Sequence, residues 1–151
     1  MSNPTRLESV VIQVLSRHDH HWIGPALQLL NRTQGQGLFT EAYLLERLQR
    51  PTSMVVGAFA GEELIGVAAA DLISSFEFYL PYDANLPGKL QDHKVGVFTT
   101  MSVTEEFQGF GVGQSLARAR LQWLKSQGCT VILGTSWVSG LPHSSDRVFE
   151  K

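Results

Sequence analysis

The residues of this chain best suited to chemistry are the closely spaced glycines of the segment from Gln108 to Gly113, which reads Gln-Gly-Phe-Gly-Val-Gly. A glycine lets a ligand approach the backbone closely, because no Cβ stands in the way. The segment leads into a predicted helix, whose unpaired N–H groups and dipole favour an anion at this end. The pattern therefore predicts a loop that binds a phosphate or diphosphate group.

The spacing of the glycines excludes two common phosphate-binding motifs. The dinucleotide fingerprint requires Gly or Ala at position 114, where this chain has Gln114. The phosphate loop of nucleotide hydrolases requires a Lys before its Ser or Thr, and Gln114-Ser115 does not supply the Lys. We therefore expect a diphosphate ligand of another kind.

The loop joins a strand pattern to a helix pattern. Val95 to Val103 is predicted to be a strand, and Gly111 to Gln127 a helix with one apolar face that Gly128 ends. The other predicted elements are a strand at Val10 to Leu15, a helix at Trp22 to Asn31, a helix capped by Thr40 and ended by Pro51, a hairpin of Met54 to Ala60 and Leu64 to Leu72, a strand at Thr130 to Val138 and a helix beginning in Ser144 to Lys151.

An irregular stretch between Ile73 and Lys94 has no clean period and is rich in aromatic residues. Long irregular loops inside a compact domain are often functional. Two interpretations are open: the aromatic side chains line an acceptor site, or they pack the loop onto the body of the domain. The residues concerned are Phe76, Phe78, Tyr79 and Tyr82.

Composition limits the class of protein. The 151 residues, 43% hydrophobic and 17% charged, predict a single globular domain over 1–151. The net charge of −2 argues against nucleic-acid binding, and the apolar runs are too short to cross a membrane. Cys129 is the only cysteine, and the segment from Met1 to Ser9 lacks the pattern of a signal peptide. We expect a soluble, cytoplasmic protein.

The signature Gln/Arg-x-x-Gly-x-Gly/Ala has its fixed positions at Gln108, Gly111 and Gly113. With the preceding Val103 to Phe107 and the order of elements over most of the chain, it resembles the GNAT superfamily of N-acetyltransferases. The resemblance implies an α+β fold of the GNAT acyl-CoA N-acyltransferase type, with a mixed, largely antiparallel sheet flanked by helices. It also implies acetyl-CoA as co-substrate, bound in a gap between the fourth and fifth strands, and no metal.

The resemblance further implies roles for individual residues. The N–H near Val103 would stabilise the oxyanion of the reaction, beside a strand that a bulge splays from its neighbour. Cofactor-binding positions would be Met101, Ser102 and Val103 for the pantetheine arm and Gln108, Gly109, Phe110, Gly111, Val112, Gly113 and Gln114 for the pyrophosphate, while Thr135, Ser136 and Trp137 would flank the thioester and the acceptor.

The acid and base of the reaction stay open. The candidates for the base are Glu105 or Glu106, which are otherwise solvated turn carboxylates, and Asp71, Glu77 or His143. The family often protonates the departing thiolate with a Tyr of the late helix, and Phe149 stands at that position here. Ser144, Ser145 or water would then replace the Tyr, unless no acid is needed.

Three further features have two interpretations each. The cluster of His18, His20 and His21 either binds a metal or forms a polar turn, which Asp19 favours. Arg118 and Arg120 either touch a coenzyme phosphate or form the solvent-exposed face of a helix. Cys129 is interpreted as a small core residue and not as a nucleophile.

The family normally adds one or two strands after the late helix, whereas this sequence stops at Lys151. We expect the last strand or strands to be missing, through truncation, altered pairing, or an edge covered by a partner chain as in a homodimer. The leading hypothesis is acetyl transfer from acetyl-CoA to a primary amine of a small molecule or peptide by direct attack. The alternatives are a non-catalytic acyl-CoA-binding or regulatory domain, and glycines that only shape a turn.

Overall fold

A computed structural model describes residues 9–35, 39–134 and 149–150, which form a six-stranded sheet with the strand order β1-β2-β3-β4-β5-β6. All neighbouring strands are antiparallel except β4 and β5, which are parallel. The strands are β1 (Val10–Leu15), β2 (Ser53–Ala60), β3 (Glu63–Leu72), β4 (Val95–Val103), β5 (Val131–Gly134) and β6 (Phe149–Glu150). The helices are α1 (Ile23–Gln34), α2 (Glu41–Gln49), α3 (Leu86–Lys89) and α4 (Val112–Ser126), with 3-10 helices at Arg17–Trp22, Glu77–Tyr79 and Glu105–Phe107. The mixed, largely antiparallel sheet is the one expected from the sequence.

Helices cover both faces of this sheet. On one face α1 and α2 pack through Leu29, Leu30 and Leu44, which are all buried. On the other face α4 packs through Leu116 and Leu124, which are fully buried. Because β4 and β5 are parallel neighbours, the chain between them must return along one face of the sheet. The helix α4 makes this crossover and begins shortly after the end of β4.

Local sequence signals account for the main helix and strand boundaries. The Thr40 hydroxyl accepts a hydrogen bond from the backbone N–H of Tyr43 at 3.1 Å and caps α2. The residue before Pro51 is extended, so α2 ends at Gln49. Within the described ranges, no helix is long and apolar enough to span a membrane.

The stretch between β3 and β4 packs on the body of the protein through part of its aromatic residues. Phe76 and Tyr79 lie against a buried cluster of Val95, Val131 and Leu133. Tyr82, in contrast, is 80% exposed. The packing interpretation therefore applies to Phe76 and Tyr79, and the side chain of Phe78 lies outside what the structure describes.

The late helix expected over Ser144 to Lys151 is wrong at Phe149 and Glu150, which form the edge strand β6. Phe149 pairs with Ile132 and Glu150 pairs with Val131, antiparallel to β5. The reason is that the outer edge of β5 offers backbone hydrogen bonds that an aromatic residue can use in an extended conformation. The rest of that segment, including Ser144 and Ser145, lies outside the described residues.

Candidate active site

The site is built around the second half of β4, beyond the residues that pair with the described part of β5. Pairing between the two strands covers Val95 to Phe98 and, within the described part of the chain, goes no further. Immediately after Phe98 the pairing of β4 with β3 shifts register, because Ala70 faces Phe98 and Ala69 faces Thr100. Thr99 is therefore the extra residue of a β-bulge. The bulge implied by the family resemblance is present.

The pairing of β4 with β3 fixes the direction of the backbone groups near the end of β4. The N–H of Thr104 donates to the carbonyl of Ile65 at 2.8 Å, and Val103 faces Gly66 in the register. Hydrogen-bonded pairs alternate with non-hydrogen-bonded pairs in an antiparallel ladder. The backbone groups of Met101 and Val103 therefore point away from β3, toward the β5 side of the strand.

The loop after β4 has two glycines in a left-handed conformation. Gly109 has φ +82° and Gly111 has φ +87°, values that residues with a side chain rarely adopt. A Cβ placed on either glycine would meet no atom within 4 Å. The loop thus presents bare backbone to open space, which is the shape that a bound diphosphate would fill.

The start of α4 leaves backbone donors without helical acceptors. Its first intrahelical bond runs from the N–H of Ser115 to the carbonyl of Gly111 at 3.0 Å, so the N–H groups of residues 111 to 114 have no such partner. No side chain caps this end, and its first turn contains no acidic residue. The helix dipole at this end favours a negatively charged ligand.

A cleft of about 380 Å³ lies between the end of β4, the glycine loop and α1. It brings together six of the residues predicted for the cofactor and two that were not predicted, Thr33 and Phe107. The predicted residues that line it are Met101, Ser102, Val103, Gln108, Gly109 and Gly113.

Two side-chain contacts shape the walls of this cleft. The Gln108 side-chain amide donates to the backbone carbonyl of Val103 at 3.0 Å, which ties the glycine loop to the end of β4. The hydroxyl groups of Thr33 and Ser102 are 2.6 Å apart and join α1 to β4. Thr33 is 69 residues away from Ser102 in the sequence. No local pattern could have indicated Thr33 as a site residue.

Several predicted residues lie elsewhere. Glu105 is exposed on its 3-10 helix and does not line the cleft, and the side chain of Phe110 is 53% exposed. The Val112 side chain is buried in the core, which leaves only its backbone for a ligand. Gln114 is exposed at the start of α4. The predicted Thr135, Ser136, Trp137 and Ser145 lie outside the described residues.

Four of the five open base candidates have environments that the structure describes, and of these Glu105 and Glu106 are exposed. The carboxylate of Asp71 is 3.1 Å from Arg47 and 3.4 Å from Arg50, in a mostly buried ion-pair cluster beside the bulge. Glu77 is exposed on the connection between β3 and β4. His143 lies outside the described residues.

Of the two interpretations of the arginines on α4, the solvent-exposed helix face is wrong for Arg120. Arg118 is exposed, whereas Arg120 is only 4% exposed and lies under β4. Removal from water lowers the pKa of Arg120 to about 10, so the side chain still carries its charge at neutral pH. The signal was in the spacing, since Arg120 follows Leu116 and precedes Leu124 by four residues on one helix face.

The histidine cluster and the cysteine have structural surroundings. His18, His20 and His21 lie on or beside a turn in which Ser16 and Asp19 form a reciprocal capping box, and this lowers the pKa of Asp19. Among the residues that the structure describes, no group of three or more His, Cys, Asp or Glu side chains could hold a metal ion. Cys129 is 7% exposed in the core, and burial raises the pKa of its thiol.

Solved structures with the same fold are acetyltransferases of low sequence identity. An aminoglycoside acetyltransferase, meta-AAC0020 from an uncultured soil metagenomic sample, has a TM-score of 0.68 at 14% identity, over 88% of this chain and 81% of its own. A ribosomal-protein-alanine N-acetyltransferase from Brucella melitensis biovar Abortus 2308 has a TM-score of 0.62 at 15% identity, over 87% and 83%. The aminoglycoside acetyltransferase AAC(6')-Iy, in complex with a coenzyme A bisubstrate analogue, has a TM-score of 0.63 at 18% identity, over 87% and 82%. At these identities the likeness shows the fold alone.

Comparison with curated protein sequences gives no significant match. The model of the acetyltransferase (GNAT) family matches residues 23–144, which include α1, the bulged strand β4, the glycine loop and α4. Since this match covers most of the chain, the protein belongs to the GNAT acetyltransferase family.

Proposed function

We propose that this protein is an acetyl-CoA-dependent N-acetyltransferase that acetylates a primary amine of a small molecule or peptide. The observation that carries the proposal is the glycine loop. Gly109 and Gly111 are left-handed with open space beside them, and they lead directly into the uncapped start of α4. The proposal treats residues 1–151 as a single catalytic domain.

The described residues fit coenzyme A in two parts. Backbone N–H groups of the glycine loop and the first turn of α4 hold the pyrophosphate, because they are donors without helical acceptors at the positive end of a dipole. The backbone N–H and carbonyl of Met101 point away from β3 and pair with the amides of the pantetheine arm, as an added strand would. The N–H of Val103 points to the same side and is left for the thioester. This direction of the backbone groups supports a ligand that lies along the β5 side of β4.

Val103 also has a role in the chemical step. The neutral amine of the acceptor attacks the thioester carbonyl carbon, the new C–N bond forms, and the C–S bond then breaks. The N–H of Val103 donates to the carbonyl oxygen, on which negative charge develops during the attack. The carbonyl of Val103 already accepts from Gln108, so the side chain of Gln108 keeps this peptide unit in place. The amine loses one proton to a base, and the departing thiolate gains one.

Cys129 is not assigned a covalent acyl-cysteine step, because it packs in the core and burial raises the pKa of its thiol. The paired hydroxyls of Thr33 and Ser102 face the cleft and are the groups best placed to pass a proton to or from the thioester region.

The names of the fold neighbours support the proposed class of acceptor. The neighbours are named as acetyltransferases of aminoglycosides and of a ribosomal-protein alanine, and both kinds of acceptor carry a primary amine. The face of the sheet that carries α1 and α2 is the side from which the acceptor approaches.

The proposal is tested by turnover with a panel of primary amines that contains aminoglycosides and peptides with a free N-terminal alanine. Release of the coenzyme A thiol and acetylated product, identified by mass spectrometry, should appear for at least one amine. Gly111→Glu places a carboxylate where the pyrophosphate binds and should abolish both signals. Saturable binding of acetyl-CoA without turnover on any amine would favour a non-catalytic acyl-CoA-binding domain instead.

A further inference from the structure

Arg120 is a buried cation in the middle of an otherwise apolar helix face. It lies between Leu116 and Leu124, both fully buried, and it is itself 4% exposed. Within the described residues its guanidinium forms no ion pair with a carboxylate. Its Nε atom also has no hydrogen-bond partner. A charge in such a place requires an explanation, since a buried charge is unfavourable unless it is compensated.

Among the described residues, the polar contacts of the guanidinium are all with the two strands at the bulge. Nη1 donates to the backbone carbonyls of Ala69 on β3 and Thr100 on β4, each at 3.3 Å. Nη2 lies 3.6 Å from the sulfur of Met101. Cζ lies 3.9 Å from the centre of the Phe98 ring. Along β4 these contacts lie on both sides of Thr99, the extra residue of the bulge. The contact with Ala69 lies on the neighbouring strand β3.

A charge is not needed at this position for the stability of the folded chain alone, on general physical grounds. Buried charges can often be replaced by apolar residues of similar volume without loss of stability, and sometimes with a gain. The neighbours of Arg120 on α4 are leucines, so a Met at this position would continue the apolar face. What the guanidinium adds is a rigid fork of donors that an apolar side chain lacks.

We propose that Arg120 is a positioning residue that maintains the β4 bulge and thereby directs the backbone groups of Met101 and Val103 away from β3. The inference rests on the proposed function, because that side of β4 is the site assigned to the coenzyme. It goes beyond that function in assigning the shape of the binding strand to a side chain of α4 that touches neither the coenzyme nor the acceptor.

The test compares Arg120→Met and Arg120→Lys with the wild type, and Lys125→Met serves as a control on an exposed cation of the same helix. Hydrogen exchange is measured without ligand on peptides covering β4, where the Thr100 and Ser102 amides face β3. In Arg120→Met, exchange in β4 should rise about tenfold while the melting temperature is equal or higher, because only the bulge loosens. Acetyl-CoA affinity should fall about tenfold, with Lys recovering part of the loss because its single ammonium cannot bond both carbonyls as the fork does.

Two results would overturn the inference. One is exchange in β4 that stays at the wild-type rate in Arg120→Met. The other is exchange that rises equally in all strands together with a lower melting temperature, which would make Arg120 a general contributor to stability. If the Met variant does not fold, Arg120→Lys, which retains the charge, still distinguishes a role at the bulge from a general contribution to stability. Failure of the wild type to bind acetyl-CoA would contradict the proposed function, whereas the exchange data would still decide the role of Arg120.

Discussion

The left-handed glycine at the start of α4 gives a quantitative test of the ligand loop, because the chain has a matched glycine that does not line the cleft. Gly111 has φ +87° and Gly61, in the turn between β2 and β3, has φ +63°. A Cβ on either residue would meet no atom within 4 Å. Alanine at either position therefore adds backbone strain without a steric clash, and the two substitutions differ only in their surroundings.

The strain of a non-glycine residue in this conformation is about 1–2 kcal/mol. Both Gly111→Ala and Gly61→Ala should therefore lower the free energy of unfolding by about that amount, or the melting temperature by roughly 2–8 °C for a chain of this size. In Gly111→Ala the exposed loop can relax out of the left-handed region, and ligand binding must then restore it. That restoration should weaken acetyl-CoA binding about tenfold, which corresponds to about 1.4 kcal/mol.

Thermal unfolding and isothermal titration of the two variants separate these effects. We expect similar losses of stability in both, and weaker coenzyme binding only in Gly111→Ala. If both variants lose stability and both bind acetyl-CoA as tightly as the wild type, the conformation of Gly111 serves only the turn between β4 and α4. Equal weakening in both variants would likewise refute the reasoning, because Gly61 is not part of the glycine loop and does not line the cleft.

Three further predictions concern the body of the protein. A Cβ at Gly96 would lie 2.5 Å from Cδ2 of Leu124, so Gly96→Ala should lower the free energy of unfolding in urea by about 1–3 kcal/mol. Asp71→Asn removes the charge that faces Arg47 at 3.1 Å and should lower the free energy of unfolding by about 2 kcal/mol. The loss is smaller than for a fully buried pair, because both side chains keep some exposure. Burial raises the pKa of the Cys129 thiol, so iodoacetamide should label the folded protein more slowly than the unfolded chain at pH 8. Because the unfolded thiol ionises first, the stability contribution of Cys129 should be present at neutral pH and fall as the pH rises above the ordinary pKa of cysteine.

Each of these predictions has a clear contrary result. A wild-type denaturation midpoint in Gly96→Ala would mean that α4 does not pack as closely on the sheet as the structure has it. Unchanged stability in Asp71→Asn would mean that the ion-pair cluster beside the bulge is solvated. Labelling of Cys129 at the rate of an unfolded chain would contradict its place in the core.

The elements that carry the ligand loop could be predicted from sequence because their determinants are local. β4 was predicted with the bounds that the structure has, Val95–Val103, and α4 differs by one residue at each end from the predicted Gly111 to Gln127. A β-branched run, closely spaced glycines and a helical apolar period are all contained in their own segments. The positive φ angles of Gly109 and Gly111 are consistent with this local origin.

Contacts between distant segments could not be predicted in the same way. The hydroxyl pair of Thr33 and Ser102 joins α1 to β4, and neither residue carries a local sign of the other. Phe149 was expected in a helix, but it pairs with Ile132 across the edge of β5, which only the assembled sheet provides. Arg120 is an intermediate case: its helical spacing with Leu116 indicated burial, and its charge was given more weight than its position.

The most direct measurement is calorimetric titration of acetyl-CoA into the wild-type protein and into Gly111→Glu. We expect saturable binding of one molecule per chain in the micromolar range for the wild type. The glutamate should abolish that binding, because its carboxylate would occupy the open space beside the loop and repel the pyrophosphate. Absence of binding by the wild type, or equal affinity of the two proteins, would contradict the assignment of the glycine loop as the coenzyme site.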